Sequence, residues 1–195
     1  LVLGLCLGSF YNVCVVRYLS RESIVFPASK CPKCGHKLSA WENIPLVSYI
    51  ILGGKCRSCK KPISLRYPAL ELISGLWFMA LAIKFGPGWV FVAYAIWGSL
   101  LLVMSFIDLD SFILPDVMTL PGAVLAIVFA WFILAPQLGT PSRADAVIGM
   151  AVGPGALWLL QQTYRKLKGR EGLGTGDIKL MLMLGAMLGW RALPV

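Results

Sequence analysis

The sequence predicts an all-α polytopic membrane protein, with about six transmembrane helices and a small cytoplasmic zinc-knuckle insert. Three observations predict it. Hydrophobic residues make up 58% of the chain and charged residues 14%, where a soluble domain carries about a quarter charged. Apolar runs long enough to cross a bilayer, roughly 17–25 residues, recur along the chain. Between the first two runs lies a polar stretch that contains Cys-x-x-Cys twice. The net charge of +9 does not point to nucleic acid, because the basic residues are not interleaved with aromatics on a polar face. In a membrane protein such an excess reports orientation.

Residues 1–19 form the first transmembrane helix, interrupted only by Ser9 and Asn12 before Arg17. It is apolar along its whole length and lacks an Ala-x-Ala-like exit, so it is not a cleaved signal peptide. Residues 20–67 are the polar insert. Residues 68–195 form a transmembrane domain with spans from Pro68 to Phe85, Val90 to Ile107, Val117 to Ala135 and Ala144 to Tyr164, and a sixth beginning at Ile178. Glu71 near the start of the second span reads as a helix N-terminal charge. "GPGW" at Gly86 to Trp89 is a tight turn with an interfacial tryptophan, and Pro121 can bend the fourth span. Gly4-x-x-x-Gly8 and Gly149-x-x-x-Gly153 let helices approach closely. The chain opens on Leu1 inside an apolar run and closes on "RALPV" just after another. Both ends therefore read as cuts, with the transmembrane domain truncated on its C-terminal side.

Placing the insert in the cytoplasm and alternating sides tests the topology. Fourteen lysines and arginines, from Arg17 to Arg66 and from Arg165 to Arg170, then face inside. Three, Lys84, Arg143 and Arg191, face outside, and Lys179 sits just within the last helix. That is a strong positive-inside bias. The same alternation puts Asp108, at the end of the third span, and Asp177, at the start of the sixth, on the cytoplasmic side at one membrane depth.

In the insert, "CPKCGHKL" and "CRSCKKPI" supply Cys31, Cys34, Cys56 and Cys59. Each pair can present two thiolates from one tight turn, and two turns complete a tetrahedron around zinc. Gly35 suits the turn after the first pair. Two disulfides are the alternative, but they need an oxidising compartment, which the charge bias argues against. Four protein ligands leave no open position, so the metal's role is structural. His36 is expected exposed beside the knuckle and Glu42 is expected to be a surface carboxylate. The stretch Trp41 to Lys55 is expected to lie along the membrane surface.

An ionisable group at the edge of a span is costly and is a functional candidate by default. Asp116, in "LPDVMTLP", reads as a cap of the fourth span, and Asp110 lies past the third span, in water. Asp108 lies deepest. Asp177 alone would serve equally as a helix cap, but its pairing with Asp108 at one depth suggests an aspartyl dyad. Two carboxylates held close share one proton. One then takes a proton from water while the other polarises the scissile carbonyl. The helix dipole favours the anion on Asp177, which starts a helix, and the proton on Asp108, which ends one. Gly174 and Gly176 would let a substrate backbone approach Asp177. A nucleotide loop of the Gly-x-Gly-x-x-Gly kind is excluded, because Asp177 occupies the third glycine position and no strand precedes it.

"SFIDLDSFILPDVMTLP" together with "GTGDIKL" resembles the two aspartate motifs of the type IV prepilin peptidases, which are Gly-x-Gly-Asp intramembrane aspartyl proteases. "CPKCGHKLSAWENIPLVSYIILGGKCRSCKKPISLRYPALEL" is similar to that family's cytoplasmic cysteine module, and "LGLCLGSFYNVCVVRY" to its first span. The resemblance implies catalytic aspartates at Asp108 and Asp177 and metal ligands at Cys31, Cys34, Cys56 and Cys59. It implies cleavage of the basic leader from prepilins or pseudopilins after a glycine, at the cytoplasmic face of the inner membrane. It also implies methylation of the new N-terminal amine from S-adenosylmethionine, with the donor expected near Trp41 to Gly54 and the first spans. The implied partners are prepilin or pseudopilin substrates and membrane lipid, with no nucleic acid. The family usually has about eight spans, and this chain ends in the sixth. Without the resemblance, two other classes fit the residues. A proton-coupled transporter would use both aspartates as a relay, and a non-catalytic assembly platform would bind partners through the zinc module.

Overall fold

The computed structural model describes residues 1–135, 140–170, 172 and 174–193. Residues 136–139 of the predicted outer loop, Leu173 of the glycine motif and residues 194–195 lie outside them. The described residues form seven α-helices: α1 (Val2–Ser20), α2 (Val47–Ile51), α3 (Arg66–Phe85), α4 (Trp89–Ser111), α5 (Asp116–Phe129), α6 (Arg143–Lys168) and α7 (Thr175–Leu188). Their only β-structure is a pair of isolated antiparallel bridges in the insert.

Five segments are long and apolar enough to cross a membrane: α1, α3, α4, α5 with the π-turn that continues it to Leu134, and α6. Large apolar side chains stand exposed along them, among them Leu3, Leu76, Ile83, Phe132 and Leu159. Soluble helices bury such a stripe, whereas lipid accepts it. The protein is a multi-pass membrane protein. The predicted sixth span is present as α7, but its 14 residues cover about 21 Å at 1.5 Å per residue, short of the ~30 Å hydrocarbon core.

Helices α4 and α6 run longer than the apolar runs suggested, because polar residues extend them. Helix α4 continues through Asp108, Asp110 and Ser111. Helix α6 starts from Ser142, whose hydroxyl accepts the Asp145 N–H in a capping box, and stops at Gly169 in the left-handed region. Helix α5 stays helical through Pro121 and passes into the π-turn at Ala130.

The chain divides into two compact units. The first comprises residues 1–91 and 101–111. Its central feature is α1 packed along α3. A Cβ on Gly8 would stand 2.6 Å from the Glu71 Cα, and one on Gly4 2.5 Å from the Ser74 carbonyl oxygen, so only glycine admits so close a crossing. Val15 and Leu70 are buried, and the Asn12 amide donates to the Tyr67 carbonyl at 3.0 Å.

The second unit comprises residues 92–100 and 112–195. Here α7 packs between α5 and α6. Gly149 of α6 and Gly185 of α7 meet backbone to backbone. Met183, Ala186 and Met187 are fully buried, and the Tyr94 hydroxyl donates to the Met187 carbonyl at 3.1 Å.

Candidate functional site

The insert of the first unit is built on two hairpins of one design. The bridge Lys30–Lys37 closes the first and Lys55–Pro62 the second. In the first, the Cys31 N–H donates to the His36 carbonyl at 2.8 Å and the Gly35 N–H returns to the Cys31 carbonyl at 2.9 Å. In the second, the Cys56 N–H donates to Lys61 at 2.9 Å and the Lys60 N–H to Cys56 at 3.0 Å. The residue after each second cysteine has positive φ, 73° at Gly35 and 57° at Lys60. Glycine is at ease there and lysine is not. The repeat extends beyond the two Cys-x-x-Cys pairs into the backbone hydrogen bonds around them.

These hairpins bring all four predicted cysteines together. Their Sγ atoms lie within 4.8 Å of one another, and Cys34 and Cys56 are 3.9 Å apart. A tetrahedral metal with bonds of ~2.3 Å holds its sulfurs about 3.8 Å apart, whereas a disulfide needs ~2.05 Å. None of the four is joined in a disulfide. The backbone N–H of Cys59 and then that of Ser58 favour the Cys56 thiolate, which brings its pKa down to about 6. The set can hold one metal ion, and four soft thiolates suit zinc.

Two expectations for the insert need correction. Glu42 is buried rather than a surface carboxylate. It accepts the Ser39 N–H at 2.8 Å and lies 3.3 Å from His36 Nε2, so His36 is paired and half-buried rather than free beside the knuckle. The Ser39 hydroxyl, then the Ser39 N–H and His36, hold the Glu42 carboxyl below its ordinary pKa. Ser39-x-x-Glu42 is the capping-box pattern, and that signal was available in the sequence.

Between the insert and the ends of α1 and α3 lies a cavity of about 710 Å³, lined among others by Asn12, Arg17, Glu42, Tyr49, Tyr67 and Glu71. Its volume falls in the small-molecule range of roughly 300–1,000 Å³. Buried Arg17 draws in the chain that follows α1, donating to the carbonyls of Ser23 at 2.6 Å, Ile24 at 2.8 Å and Pro27. Glu71 lies more than a turn inside α3 rather than at its tip. It is buried and accepts the Leu46 N–H at 2.8 Å. Sequence reading missed this role because the partner is a backbone group of the distant insert.

Asp108 lies in the last turn of α4, half-buried, in the first unit. Asp177 lies in the first turn of α7, half-buried, in the second. Asp110 is still helical, and Arg66, the first residue of α3, pairs with it. Asp116 is the first residue of α5 and makes no cap. It accepts from Lys179 Nζ of α7 at 2.7 Å. Gly176 packs against Leu114, whose side chain a Cβ there would meet at 3.1 Å.

Comparison with known proteins adds to this geometry. Residues 2–85 match the model of the bacterial peptidase A24 N-terminal domain. Residues 95–195 match the model of the type IV leader peptidase family. Among curated proteins, the chain is 46% identical to a prepilin leader peptidase/N-methyltransferase of Myxococcus xanthus, over 98% of this chain and 56% of the relative. Proteins of the same description from Aeromonas hydrophila and Neisseria gonorrhoeae are 39% and 40% identical, over 98% and 100% of this chain and 73% and 74% of theirs. The chain thus spans little more than half of the Myxococcus relative and about three quarters of the other two. No solved structure matches it.

Proposed function

The chain belongs to the type IV leader peptidase family, and on that premise we propose that it is a membrane aspartyl endopeptidase. Its substrates are prepilins or pseudopilins, from which it removes a basic leader at the cytoplasmic face of the inner membrane. Asp108 and Asp177 form the catalytic dyad. One takes a proton from the attacking water. The other, protonated, donates to the scissile carbonyl, and the proton then passes to the leaving amine. The observation that carries this reading is the family match across residues 95–195, which contains both aspartate motifs. It is supported by the half-buried position of each aspartate at a helix end and by the positive-inside bias. A prepilin, with a basic leader followed by an apolar helix, presents its cut site at that depth.

Cys31, Cys34, Cys56 and Cys59 would hold zinc, which would clamp the two hairpins, and four thiolates would leave no open position for substrate. We further propose that the same protein methylates the amine exposed by cleavage. S-adenosylmethionine, when bound, supplies the activated methyl group. The cavity above α1 and α3 has the volume for it, and buried Glu71, which lines that cavity, would take the proton that an ammonium must lose before it is methylated.

The test is incubation of the chain in lipid vesicles with a prepilin, read by the mass of the product, which reports both the cut and any methyl group. Asp108→Asn and Asp177→Asn are each expected to abolish the cut, by roughly 10³-fold or more. Glu71→Gln is expected to suppress methylation and spare the cut. Full cleavage by both Asp→Asn variants would remove the dyad from the account, whereas no cleavage by the parent chain would leave the non-catalytic assembly platform as the better reading. Loss of proton-coupled uptake in the Asp177→Asn variant, with cleavage intact, would favour the transporter.

A further inference from the structure

Arg66 is the one residue of α3 seen to grip α4 by both charge and backbone. One guanidinium nitrogen pairs with the Asp110 carboxylate, and another donates to the Phe106 carbonyl. The guanidinium plane sits over the Phe106 ring, 5.3 Å from its centroid. The carbonyl, the ring and the carboxylate belong to residues four apart, which share one face of a helix. Asp108 lies midway between them, two residues from each, so its side chain leaves from the opposite face. Arg66 therefore holds the back of the turn that presents Asp108, without reaching the carboxylate itself.

Arg66 is itself held from both sides. Two residues before it, Ser64 Oγ accepts the Arg66 N–H at 3.3 Å. Further back, the Ile63 N–H donates to the Gly54 carbonyl at 2.8 Å, which ties the approach to α3 to the second cysteine hairpin. The next residue, Tyr67, is clamped to α1 by Asn12. The guanidinium is 26% exposed and the Asp110 carboxylate 39%, so the ion pair alone would contribute little. The planar fork differs, because it fixes direction as well as attraction.

We propose that Arg66 is a positioning residue for leader cleavage, and that it sets the rotation and depth of the last turn of α4 so that Asp108 reaches the scissile bond. The proposal rests on the reading of Asp108 as catalytic. Its reach is geometric: a misplacement of about 1 Å costs on the order of 100-fold in rate.

The experiment measures kcat and KM for cleavage of a synthetic prepilin peptide by the chain in lipid vesicles, for Arg66→Gln, Arg66→Lys, Asp110→Asn and Asp108→Asn. Bound zinc per chain and the unfolding temperature serve as folding controls. Arg66→Gln is expected to lower kcat roughly 10- to 100-fold with KM within about twofold. Arg66→Lys, which keeps the charge but not the planar fork, is expected to recover only part of that loss. Asp110→Asn, which spares the bond to Phe106, is expected to fall between parent and Arg66→Gln, and it decides the matter if Arg66→Gln does not fold. Parental kcat in a folded Arg66→Gln variant, with Asp108→Asn inactive, overturns the proposal and leaves the dyad standing. Equal impairment of Gln and Lys at position 66 through KM overturns it as well. An active Asp108→Asn enzyme overturns the dyad reading itself.

Discussion

Gly8→Ala adds one methyl group to α1 and tests the packing of the first unit quantitatively. The new Cβ would stand 2.6 Å from the Glu71 Cα, 3.0 Å from the Leu70 carbonyl oxygen and 3.0 Å from the Ser74 Cβ. The first two belong to the α3 backbone and cannot swing aside. Carbon atoms rest at about 3.5–4.0 Å, so the helices must separate locally by about 1 Å. Asn12 lies one turn further along the same face of α1, and its bond to Tyr67 starts at 3.0 Å. Stretched by that amount it ceases to be a hydrogen bond. Overpacking of this kind costs about 1–3 kcal/mol and the lost bond about 0.5–1.5 kcal/mol, together about 2–4 kcal/mol. In a thermal unfolding assay in detergent this corresponds to a fall on the order of 10 °C. Gly155→Ala is the control, because in α6 nothing lies within 4 Å of a Cβ there. It is expected to be neutral or stabilising by up to about 1 kcal/mol. A Gly8→Ala protein as stable as its parent, or a Gly155→Ala protein as damaged as Gly8→Ala, would refute the reasoning.

Further expectations concern the cysteine insert and the second unit. Removing zinc with a chelator should expose residues 20–65 to protease while α1 and α3 stay protected, because metal binding and folding of such knuckles are one equilibrium; unchanged digestion would remove the metal from the account. Lys60→Gly should stabilise the insert by up to about 1 kcal/mol by relieving its left-handed backbone, seen as slower release of zinc to a competing chelator. The Glu42 carboxyl is held below its ordinary value of 4.5. Its contribution is therefore complete above that pH and lost as the pH falls through the lowered value, and in Glu42→Gln the acid sensitivity of protease protection should flatten. Lys179→Gln should cost no more than about 1 kcal/mol in unfolding, because its partner Asp116 is 62% exposed and such pairs are weak.

What the sequence disclosed follows from the range of the interactions involved. Spans are local and long, so the apolar runs located α1, α3, α4, α5 and α6 to within a few residues. Their ends were missed because polar groups carry α4 and α6 onward. The Cys-x-x-Cys pairs are local as well, and the four sulfurs converge as expected. Glu71 and Arg66 were misread or overlooked because their partners, the Leu46 N–H and the end of α4, lie 25 and at least 40 residues away. Nothing in "GLGTGD" announces that Leu114 packs on Gly176. Glu42 differs, since its partner Ser39 is three residues away and the pattern was there to be read.

The crossing of α6 and α7 at Gly149 and Gly185 works as a fulcrum. The two backbones touch there, and one turn along α6 the Met181 side chain of α7 packs on Gly153. Asp177 sits eight residues up α7 from it, a lever arm of about 12 Å at 1.5 Å per residue. A rocking of about 5° at the fulcrum would swing the carboxylate by about 1 Å, more than the roughly 0.5 Å that a catalytic constellation tolerates. The salt link from Lys179 to Asp116, two residues beyond Asp177, acts as a stay on that lever. A rotation about these two glycines would move Asp177 although neither touches it, and a methyl group added at either would meet the opposite backbone and shift α7 against α6.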